Sequence, residues 1–158
     1  MGRSADALDY GRFQWLPAEG VDVAALRDAG IEVSAISDPF VLDIGGVTFD
    51  PLVSVPTPII ARAPSAGPDW HLVQFRGPIK SEWLDQLRAD GIIPAQYVHP
   101  YSYVVWSDSA ALARGTTREA VRWSGEFQTA FRVQPQQRAF GSGLRATMAL
   151  ISRHRDQK

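Results

Sequence analysis

Three histidines, His71, His99 and His154, are the first residues to test for chemistry. None stands at metal-ligand spacing from another histidine or from a nearby carboxylate, so no metal ligand is assigned. The "GSG" at 141–143 lacks the lysine and the Ser/Thr that a phosphate loop uses on phosphate and magnesium. No G-x-S-x-G nucleophile elbow occurs. With no nucleophile–base pair and no metal set, no catalytic residue and no cofactor are assigned, and the chain is expected to show no hydrolase activity. The aromatics Trp70, Trp83, Tyr97, Tyr101, Tyr103, Trp106, Trp123 and Phe127 raise base stacking as an alternative. However, "VRWSGEF" does not match the basic–aromatic strand of RNA-recognition domains, so core and interface packing is the better reading and no nucleic-acid partner is expected.

The totals narrow the field further. A length of 158 residues with 45% hydrophobic content fits one ordinary domain with an extension, or two very small units. A net charge of −1 gives no bulk attraction to nucleic acid or membrane. The charge is uneven: from Leu112 to Lys158 nine bases meet three acids, and the remainder is acidic. One half could attract an acidic partner and the other a basic one; two solvated faces that offset each other within one fold are the better reading. The absence of cysteine removes disulfides and thiolate chemistry. No apolar run approaches the ~20 residues of a membrane span, and no signal peptide is visible.

These residues need elements to position them. Residues 1–20 read as a polar lead-in with an apolar cluster of Phe13, Trp15 and Leu16. Asp22 is placed to cap a short helix that Gly30 ends. "IEVSAI" reads as a strand. Gly45-Gly46 in "FVLDIGGVTFDP" is a two-residue hairpin signal between β-prone runs. The proline-rich stretch from Pro51 to Pro68 reads as a linker, since prolines cannot serve a central strand. "WHLVQF" is a buried strand signal, and Ser81 then caps a helix with Trp83, Leu84 and Leu87 on one face, ended by Gly91. "IIPAQYVH" and "SYVVW" are strands around a Pro100-Tyr101 turn. Alternation puts Tyr103 and Val105 on one face and Val104 and Trp106 on the other. A short helix capped by Ser107, Asp108 or Ser109 leads to the strand "VRWSGEF".

The order β-α-β-β-α-β predicts an α+β fold, a ferredoxin-like sandwich of antiparallel strands with both helices on one face. The other face is expected to be bare unless something covers it. Three regions follow: an N-terminal extension over 1–69, the sandwich over 70–135, and over 136–158 a C-terminal strand ("LRATMALISR") or the start of a truncated unit.

The run from His71 to Trp106 and the later "VRWSGEFQTAFRVQP" resemble the N-terminal, propeptide-like region of large secreted bacterial subtilisin-like serine peptidases. The matching residues are Val73-Gln74-Phe75, Gly77-Pro78-Ile79, Trp83, Leu87, Gly91, Tyr97, Pro100, Tyr103-Val104, Val121-Arg122-Trp123, Gly125 and Pro135, with "VTFDP" resembling the lead-in. The resemblance spans roughly residues 47–135. It implies a folding assistant and inhibitor whose partner is a subtilisin-like catalytic domain, in a secreted or periplasmic setting. It also implies a binding tail after the last strand. Phe131 would fill an apolar pocket of the partner, Arg132, Val133 and Gln134 would pair as an added strand, and Pro135, lacking an N–H, would end the pairing. The chain departs from the family in lacking the peptidase Asp, His and Ser segments, and Arg132 stands where the family has lysine. The alternative is an extracellular interaction or ligand-binding module with no peptidase partner.

Overall fold

The computed structural model describes residues 7–17, 19–57 and 67–132. The "LRATMALISR" stretch and residues 133–135 lie outside the described residues. The chain divides into two compact units, one ending at Pro39 and one beginning at Phe40.

In the first unit, β1 (Leu8–Asp9) pairs antiparallel with β2 (Gln14–Trp15). The turn between them is closed by Tyr10 N–H donating to the Phe13 carbonyl at 3.0 Å and by Tyr10 stacking on Phe13. Helix α1 (Val23–Asp28) starts where expected: the Asp22 carboxylate accepts from the Ala25 N–H at 3.0 Å. None of its residues is buried. The "IEVSAI" run forms no strand. Its β-prone residues find no partner strand, and without ladder hydrogen bonds propensity alone does not make one.

The second unit is mixed α+β and antiparallel. Strands β3 (Leu42–Ile44) and β4 (Val47–Phe49) form the hairpin that Gly45-Gly46 signals. Both glycines have positive φ (60° and 74°), the backbone that such a tight turn needs. The main sheet has the order β6-β7-β5-β8, all neighbours antiparallel. Its strands are β5 (Asp69–Phe75), β6 (Ile93–Val98), β7 (Ser102–Ser107) and β8 (Val121–Glu126). Helix α2 (Ser81–Ala89) connects β5 to β6, and α3 (Ser109–Gly115) connects β7 to β8. Lys80, not Ser81, is the α2 cap residue, and no side chain bonds there; Ser81 is already helical. Asp108 caps α3, accepting from the Ala111 N–H at 2.7 Å.

The sheet carries a core on each face. On one face Val73, Phe75 and Val105 pack with Leu87 of α2, Ile92 and Ala111 of α3. On the other, Leu72 and Val104 pack with Leu42 and Phe49 of the hairpin and with Phe131. The alternation along β7 puts Tyr103 and Val105 on one face and Val104 on the other, as the sequence predicts. The face expected to be bare is covered over its centre. The hairpin, expected in the N-terminal extension, lies in the same compact unit as the sheet, with Leu42 and Phe49 buried against Leu72 and Val104.

Candidate partner-binding surface

Phe131, expected to occupy a partner's pocket, occupies one of the chain's own. It sits in a short 3-10 turn, Thr129–Arg132, after β8. Its ring stacks on Phe49 at 5.5 Å, with an 11° angle between planes, and lies 6.0 Å from Phe127. Only 5% of the residue is exposed. The backbone at this turn also touches the hairpin tip. A Cβ built on Gly45 would meet the Ala130 carbonyl oxygen at 2.6 Å and the Phe131 Cα at 2.9 Å. Arg132 is exposed, donates to the Phe127 carbonyl at 3.2 Å and lies over the Phe127 ring. Val133, Gln134 and Pro135 lie outside the described residues. Of the expected binding tail, the structure therefore places one residue inside and one on the surface.

A connected polar group joins the hairpin to the sheet. Arg122 lies where the β5–β8 register shifts, so that Val121 and Trp123 pair with consecutive residues Phe75 and Gln74. Such a bulge re-aims a side chain, and here the guanidinium turns to the hairpin side. It grips both Asp50 carboxylate oxygens, at 2.9 and 3.0 Å. It also donates to Gln74 Oε1 at 2.6 Å and covers the Phe40 ring at 4.1 Å. Gln74, fully buried, returns its Nε2 to the Phe40 carbonyl at 2.9 Å. Burial pushes the Asp50 carboxyl upward. The hydrogen bonds from Arg122 and from the Leu52 N–H, with the Arg122 charge, outweigh this and hold it below the ordinary carboxylate value. Bidentate geometry makes this the strongest kind of side-chain pair available. It is an organising group, because every member is satisfied by another, although Arg122 and Asp50 remain partly exposed.

A neighbouring constraint explains "WSG". A Cβ on Gly125 would collide with the Trp123 indole, which lies across it. The large ring fits only because residue 125 lacks a side chain.

A shallow surface depression is lined by Asp90, Arg114, Arg118 and Glu119. Arg118 holds Asp90 bidentately at 2.8 and 2.9 Å, and Arg114 donates to the Asp90 carbonyl at 3.1 Å. The Arg118 hydrogen bonds lower the Asp90 carboxyl from its ordinary value. These charges neutralise one another and leave no group aimed at a ligand. Among the described residues no cluster of His, Asp or Glu is placed to hold a metal ion, and no helix is long and apolar enough to cross a membrane.

Apolar exposure concentrates on the β6 side of the sheet. Ile93 and Trp106 pair across β6 and β7, and Trp106 meets Trp70 edge-on at 4.9 Å. Sequence analysis missed the Asp50–Arg122–Gln74 group. The quoted "VTFDP", "VQF" and "VRW" stretches contained all three residues, yet nothing local says that positions 72 residues apart meet.

No curated protein and no solved structure matches the chain. The described sheet, its helices and the hairpin's second half fall within residues 43–128, which match the family described as a domain of unknown function (DUF8729), and the chain belongs to that family.

Proposed function

We propose that the unit from Phe40 is a non-catalytic protein-binding module with a ferredoxin-like sandwich, acting like a propeptide as chaperone and inhibitor of a subtilisin-like peptidase. The observation that carries this reading is the strand order β6-β7-β5-β8 with α2 and α3 on one face. It corresponds to two interleaved βαβ crossings, β5-α2-β6 passing over β7 and β7-α3-β8 passing over β5. In the resemblance, "VQF" and "VRW" mark the two adjacent strands β5 and β8 that the crossings bring together. The binding tail would begin at exposed Arg132 and continue through Val133 to Pro135, with Phe131 as its internal anchor.

The test is inhibition of purified secreted bacterial subtilisin-like peptidases by the full chain, with recovery of active peptidase from denaturant as a second readout. Slow, tight inhibition that Val133→Asp weakens, with the fold intact, supports the reading. Absence of both inhibition and refolding assistance across such peptidases removes it.

A second reading is an interaction module with no peptidase partner. It is favoured by the hairpin and Phe131, which cover the centre of the sheet face that a propeptide would offer. Neither inhibition nor refolding assistance of any such peptidase, with the fold intact, selects it.

A further inference from the structure

The sheet has two outer strands, and they are guarded differently. β8 carries Arg122 and Glu126. It is tethered near both ends to the 50–56 segment, by the Arg122–Asp50 pair and by Gln128 Nε2 donating to the Pro56 carbonyl at 2.8 Å. Among the described residues β6 has no charge and no tether of this kind, and only Pro94 and the register irregularity between Pro94 and Gln96 interrupt it. Between Asp90 and Asp108 the sequence contains no Asp, Glu, Lys or Arg. Ile93 is 58% and Tyr97 48% exposed; Ala95 and Gln96 are exposed as well. Soluble proteins blunt open edges with charges, lysine above all, because an unguarded strand edge is a template for another strand.

We propose that β6 pairs antiparallel with β6 of a second copy across a two-fold axis, merging the two four-stranded sheets into one. The neutral edge argues for this occupant. It offers no charge for a charged partner to match, and it meets its own copy without like-charge repulsion. An antiparallel pairing of identical strands is isologous, so one surface serves both copies. Pro94 has no N–H to donate, which confines the new ladder to Ala95–Val98 and puts Gln96 within a residue of the axis. Ile93 and Trp106 flank the junction on the hairpin face, and Tyr97, edge-on to Tyr103 at 5.7 Å, flanks it on the helix face. A junction of one short strand is small, so association is weak and depends on concentration.

Sedimentation velocity of the full chain over a concentration series tests this. Wild type should shift reversibly from monomer to dimer. Gln96→Lys and Gln96→Glu, both at an exposed position, should each remain monomeric with unchanged circular dichroism, and an equimolar mixture of the two should associate again. A wild type that stays monomeric up to its solubility limit overturns the proposal. So does a dimer indifferent to Gln96→Lys, or a mixture that fails to associate. Because β6 and the segment after β8 lie on opposite edges, loss of the dimer leaves peptidase inhibition unaffected, and the two readings fail separately.

Discussion

At the residue scale, the side chains that would mark a binding site by their chemistry are used inside the chain. Phe131→Ala removes a ring packed between Phe49, Phe127 and the sheet. It should cost about 3–5 kcal/mol in chemical denaturation, the range for a buried phenylalanine; a variant as stable as wild type would return Phe131 to the surface. Leu87→Ala, beneath α2 and 1% exposed, should cost about 2–5 kcal/mol. Asp50→Asn breaks a charge-assisted pair and should cost about 1.5–3 kcal/mol near neutral pH. The pH dependence has a definite sign. The folded carboxyl titrates below its ordinary value of 3.8, so its contribution is present above that value and is lost as pH falls through the lower folded value. The gap between wild type and Asp50→Asn should therefore close in acid. A gap constant across that range would show that Asp50 acts through packing alone.

At the element scale, legibility followed the range of the interaction. The sequence pattern located every strand of the main sheet and both of its helices. Period-2 alternation at Tyr103–Trp106 and the helical spacing of Trp83, Leu84 and Leu87 are local consequences of which face is buried. Gly45-Gly46 announced its hairpin for the same reason: a tight turn is a local backbone requirement. Where the hairpin docks was illegible, because Leu42 and Phe49 look alike whether they cover this sheet or another surface. "IEVSAI" failed in the opposite direction, with propensity present and no partner to pair with. Gly45 is required twice, by the positive φ of the turn and by the docked approach to Ala130. Gly45→Ala should then cost at least about 1–3 kcal/mol from backbone conformation alone. It should also loosen the turn at Thr129–Arg132, seen as faster amide exchange at Phe131. Unchanged exchange with lowered stability would separate the hairpin's conformation from its contact.

At the scale of the whole molecule, stability resides in the second unit. Both apolar cores are built from residues at or beyond Leu42, and the hairpin, sheet and 3-10 turn fall within the unit that begins at Phe40. The first unit offers a two-residue ladder and a six-residue helix with no buried side chain. An isolated ladder or helix of that size is marginal in water. The family match begins at residue 43, close to the same boundary. A chain starting at Phe40 keeps Phe40, whose carbonyl holds Gln74 and whose ring lies under Arg122. It should unfold in one cooperative transition with the midpoint of the full chain. A chain starting at Asp50 loses Leu42 and one side of the second core. It should unfold earlier and expose the face formed by Leu72 and Val104, seen as binding of an apolar dye. If removing residues 1–39 lowers the midpoint as much as removing the hairpin does, the first unit contributes to the fold, and the division of stability argued from the two cores is wrong.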